Sequence, residues 1–138
     1  MSQVAELLGE MREVSGEIVK GLSGLTEEEM RAQTDEAPWR VQHILSRFAA
    51  HEEEHINQIV AARWTLGTAP TVAQLALAQF LAARGRLEGS LIGLGDEAAS
   101  RPPREGERSI LEILEHVQES DKQYLAWIQH NRSCASSA

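Results

Sequence analysis

Cysteine is almost missing from this chain. Among 138 residues the one example is Cys134, so an intrachain disulfide framework and a Cys-x-x-Cys metal or redox site are both excluded. A reducing cytoplasm is the expected setting. Basic residues are also in deficit: Lys plus Arg total 13 against 21 Asp plus Glu, a formal charge of -8. Such a surface repels phosphate backbones and anionic lipid, which argues against nucleic acid and membrane partners. No apolar run approaches the roughly 18 residues of a membrane span, and residues 1–20 lack a basic start followed by an apolar block, so a soluble, unprocessed protein is expected. Strand signals are nearly absent too, since alternating β-branched and aromatic runs bounded by Asn-Gly or Asp-Gly turns do not occur.

What is present is helical periodicity. A hydrophobic content of 42% with 25% charged residues suits one conventional core, so residues 1–132 are expected to form one domain and 133–138 a flexible C-terminal tail. The first helix is expected over about 4–22, where Val4, Leu7, Leu8, Met11, Val14, Ile18 and Leu22 recur every three or four residues. Thr26 and Glu29 form a capping box for a short turn, followed by a polar loop. A second long helix starts near Trp39 and carries the stripe Val41, Ile44, Phe48, His51, His55, Ile59 and Ala62, with Gly67 and Pro70 to end it. Thr71 opens a third helix expected to reach Leu94, in which Gly85 and Gly89 lower helix propensity but permit close backbone contact. Residues 95–108 read as a surface loop. Ser109 and Glu112 form a second capping box and launch the fourth helix, with Ile110, Ile113, Leu114, Val117, Tyr124 and Ile128 inward. Four such helices do not stand alone in water, which predicts an all-α fold, a single antiparallel four-helix bundle.

Chemistry concentrates in His51-Glu52-Glu53-Glu54-His55. Residues four apart on a helix lie about 40° and about 6 Å from each other, so two imidazoles can converge on one ion. The pentapeptide also matches the His-Glu-x-x-His pattern of zinc proteases, with Glu52 as general base. Those enzymes align a peptide along an edge strand, and the missing strand signals argue against that activity. Alternatively, the two histidines are hydrogen-bonded polar residues that set helix register. His116, beside the apolar stripe of the fourth helix, is the candidate third ligand, giving a three-histidine site on two helices. His43, about 12 Å along the helix from His51, is too far to share an ion and reads as a surface residue. His130 is placed near the end of the fourth helix, where it favours the exposed carbonyls. Glu52 and Asp121 are candidates for orienting an imidazole or activating a water.

Trp39-Arg40-Val41, Ile44-Leu45 and the run from Ala50 to Ile59 resemble the DinB-like (damage-inducible) family of metal-binding four-helix bundles. Ser109-Ile110-Leu111-Glu112-Ile113-Leu114-Glu115-His116-Val117, with Tyr124 downstream, is similar to that family's other histidine-bearing helix. Together with their connecting helices, these segments span nearly the whole chain. The resemblance implies a divalent metal, zinc or nickel, held by His51, His55 and His116. The order of the ligand helices is the reverse of the family's usual one, and Arg47 stands where a histidine is often found. A cation there opposes a dication, or it recognises a carboxylate or thiolate substrate.

The expected function is therefore a DinB-like metal-binding protein acting on a small molecule, as a thiol S-transferase using a low-molecular-weight thiol or as a hydrolase. A dication stabilises thiolate or hydroxide near neutral pH. Glu52 is the candidate catalytic residue and Arg47 the candidate substrate-binding one, and a homodimer is expected. The rival is a metal-free helical binding or dimerisation module with a degenerate site. Trp64 and Trp127 suit either a core or an interface.

Overall fold

Four of the six helices among the described residues begin at a residue whose side chain caps the first turn. A computed structural model describes residues 2–36 and 38–137. The order is α1 (Gln3–Leu22), α2 (Glu27–Arg31), α3 (Val41–Thr65), α4 (Val72–Gly89), α5 (Asp96–Ser100) and α6 (Ile110–Ser136). The all-α expectation holds: among the described residues the only β feature is an isolated antiparallel bridge between Gln33 and Arg40.

The hydroxyl of Ser2 accepts from the Ala5 N–H at 3.2 Å to start α1. Thr26 with Glu29, and Ser109 with Glu112, form the expected capping boxes at α2 and α6, and Thr71 with Gln74 forms a third at α4. Each box satisfies two N–H groups that the first helical turn leaves without carbonyl partners. No side chain caps α5, which starts at Gly95, or α3, where Arg40 has no acceptor to offer. Its own N–H donates instead to Nδ1 of His43 at 3.3 Å. At the other end of α3, Gly67 takes φ +67, and the Thr68 N–H returns to the Arg63 carbonyl at 2.8 Å. Such a left-handed residue is available to glycine at little cost and closes the helix.

Three expectations need correction. The third helix ends at Gly89 rather than reaching Leu94, because the Ser90 hydroxyl turns back onto the Leu87 carbonyl at 2.6 Å and Gly93 adopts φ +81. An added Cβ at Gly85 or Gly89 would meet nothing within 4 Å, so the close backbone approach expected there does not occur. Residues 133–136, read as tail, continue α6. No proline or glycine interrupts them, and the hydroxyls of Ser133 and Ser136 each donate to the carbonyl four residues earlier at 3.0 Å. His130 consequently lies inside the helix, not in its final turn. Residue 138 of the tail lies outside the described residues, and so does residue 37.

The chain divides into two compact units, Met1–Gly93 and Leu94–Ala138. In the first, α2 packs on α3, and the loop before α3 is tied down by Thr34, whose hydroxyl donates to the Trp39 carbonyl at 2.6 Å. In the second, α5 packs on α6, and this corner buries Ala99 and Ser109, which are 5% and 4% exposed. They are the only buried residues among those described. The stripe residues expected inward, such as Ile44 at 37% and Phe48 at 41%, remain partly exposed.

Candidate functional site

The site is built on the middle of α3, whose 25 residues carry His51 and His55 one turn apart. Their Nε2 atoms approach to 3.0 Å, with ring centroids 4.4 Å apart and planes at 88°. The second nitrogen of His55, Nδ1, lies 2.8 Å from Oε1 of Gln58. Because Oε1 of Gln58 only accepts, this contact is a hydrogen bond in the tautomer of His55 that carries its proton on Nδ1 and presents a lone pair at Nε2. In that tautomer the short Nε2 to Nε2 approach is a hydrogen bond in which His51 donates to His55.

Beside the pair lies an open groove of about 470 Å³ lined by Trp39, Ile44, Arg47, Phe48, His51 and Glu52. Trp39 reaches it because the tied loop turns the chain directly into α3. One wall is apolar, and Arg47, His51 and Glu52 supply the polar groups, a mixture suited to a small organic molecule with a polar end. Both expected non-ligand residues, Glu52 and Arg47, thus border the same groove as His51.

Arg47 is engaged by Glu54. Its two terminal nitrogens reach the two carboxylate oxygens at 2.8 and 3.1 Å, a fork-to-fork pair two helical turns long. The hydrogen bonds from Arg47, then its charge, hold the Glu54 carboxyl below the ordinary carboxylate range, with smaller contributions from His51 and His55. Glu54 raises the Arg47 pKa in turn. The cation expected to oppose a metal ion is therefore offset by a carboxylate at the same place.

No family model, curated protein or solved structure matches this chain. Two nitrogens at about 2.0–2.1 Å from one zinc ion are themselves about 2.9–3.4 Å apart for angles between about 90° and 109°. The observed 3.0 Å falls in that interval and equally suits the hydrogen bond between the two rings.

His116 belongs to the second unit, where it is exposed on α6 between Glu115 and the half-buried Val117. Among the described residues, no three His, Cys, Asp or Glu side chains are grouped so as to hold a metal. Within the first unit the structure thus brings together His51, His55, Glu52 and Arg47 on α3. Asp121 is half-buried on α6. His43 is exposed, as expected, and has the capping role already described.

Three features escaped sequence reading. The Gln58 contact is a three-residue spacing and the Arg47–Glu54 pair a seven-residue spacing, both compatible with one helix face but too common to single out. The third is a contact of 3.6 Å between Nε2 of His130 and Sγ of Cys134, made possible because α6 extends through the expected tail.

Proposed function

We propose that this chain is a DinB-like divalent-metal protein acting on a small molecule. The observation that carries this reading is the 3.0 Å approach of the His51 and His55 Nε2 atoms, a separation suited to one shared ion. His116 is the proposed third ligand, supplied by α6 when α1, α3, α4 and α6 pack as an antiparallel four-helix bundle. Nitrogen donors without sulfur suit zinc or nickel. When bound, such a dication supplies Lewis acidity, lowering the pKa of a thiol or a water. The chain's own contribution is placement: the apolar wall of Trp39, Ile44 and Phe48 takes the body of the small molecule, Arg47 receives an anionic group by exchanging the Glu54 carboxylate for it, and Glu52 is the base that takes a proton. Transfer of a low-molecular-weight thiol, or hydrolysis, is the reaction class proposed, in a cytoplasmic homodimer. No described helix is long and apolar enough to cross a membrane.

A metal-free helical binding or dimerisation module is the second reading. It draws on the exposed apolar side chains of α1, among them Val4 at 68% and Leu7 at 60%. Calorimetric titration of the untagged protein with Zn²⁺ and Ni²⁺ separates the two. The metal reading expects saturable binding that is lost in His51→Ala and His55→Ala, weakened in His116→Ala and intact in His43→Ala. Absence of saturable binding leaves the interaction module.

A further inference from the structure

A histidine coordinates through a nitrogen that bears no proton, so a ligand ring must hold its one neutral-state proton on the other nitrogen. In water the neutral ring prefers that proton on Nε2. A metal site using Nε2 therefore gains from a neighbour that keeps the proton on Nδ1. His55 has such a neighbour: Oε1 of Gln58 accepts from Nδ1 at 2.8 Å, and the opposite nitrogen faces His51 at 3.0 Å. With His55 in that tautomer, the 3.0 Å contact requires His51 to carry its proton on Nε2. To coordinate, it must lose that proton to water and take one at Nδ1, whereas His55 is ready as it stands.

We propose that Gln58 is a positioning residue that fixes the tautomer of His55 and so makes it the leading ligand of the pair. The inference rests on the metal reading of His51 and His55. It assigns different work to two histidines that the sequence makes look equivalent. His55 would then present a ready Nε2 lone pair to a metal, whereas His51 would have to move its proton to Nδ1.

The test uses the whole chain with Gln58→Leu, which removes the acceptor, and Gln58→Glu, which keeps an oxygen at similar reach. Position 58 is exposed on α3, so both variants are expected to fold, with unchanged helical circular dichroism. Imidazole ¹⁵N spectra of the metal-free protein, recorded well above the histidine titration range, read the tautomer directly. Wild type and Gln58→Glu should show His55 protonated on Nδ1, and Gln58→Leu should shift it toward Nε2. In calorimetry with Zn²⁺ alone, Gln58→Leu should bind about 10-fold or more weakly, with Gln58→Glu binding at least as tightly as wild type. Equal Zn²⁺ affinity in wild type and Gln58→Leu, or an unmoved tautomer, overturns the role of Gln58 while leaving the metal reading intact. A wild type that takes up no Zn²⁺ overturns the metal reading, and this inference with it.

Discussion

Arg47 and Glu54 show how a side chain's partner decides its chemistry. An unpaired guanidinium beside two imidazoles would repel a dication, but the bidentate pair leaves little net charge there. Arg47→Ala frees the carboxylate, so Zn²⁺ should bind more tightly, and Glu54→Gln frees the guanidinium, so binding should weaken. Both changes should shrink in titrations at high salt, because screening acts strongly on exposed groups. The pair also has a pH signature. The Glu54 carboxyl is lowered in the folded chain, so its stabilising contribution is full above the ordinary glutamate range and is lost as pH falls through the lowered value. At this scale the two histidines were legible in the sequence, because a four-residue spacing on one stripe has a direct geometric consequence. Gln58 and Glu54 were not, since glutamine and glutamate at helical spacing are common and only coordinates show which atoms meet.

The capping boxes carry the corresponding lesson for whole elements. Glu29 and Glu112 each accept a backbone N–H and then a hydroxyl, from Thr26 and Ser109, and those hydrogen bonds hold both carboxyls below their usual pKa. Protonation weakens them, so the stabilisation they give α2 and α6 is present above the ordinary glutamate range and disappears as pH falls through the lowered values. Glu112→Gln retains an acceptor and should flatten part of the acid-side loss of helical circular dichroism. Ser109→Ala should lower the unfolding free energy by about 0.5–2 kcal/mol in urea titrations, since the Glu112 N–H loses its acceptor in a buried corner. Helix starts were legible at Thr26, Thr71 and Ser109 because hydroxyl residues there have a specific backbone partner. Two ends were harder. Serines at 133 and 136 resemble a polar tail in composition, yet their hydroxyls fold back onto carbonyls and let α6 continue. The short α5 was hidden in a stretch whose Gly and Pro content signals a loop.

For the whole molecule, helical content followed directly from sequence periodicity, while tertiary packing did not. A stripe at three- and four-residue spacing states which face of a helix seeks cover, but not which element supplies it. The proposed bundle supplies that cover to α3, so Phe48→Ala should cost about 3–5 kcal/mol in equilibrium unfolding. A change within about 0.5 kcal/mol would mean that Phe48 serves the groove wall alone. The metal is tested most directly by elemental analysis of the untagged protein, purified without added metal, beside the doubly substituted His51→Ala, His55→Ala chain. A shared site on α3 requires about one zinc or nickel ion per wild-type chain and none in the variant. Equal metal content in the two proteins, or none in the wild type, would contradict it.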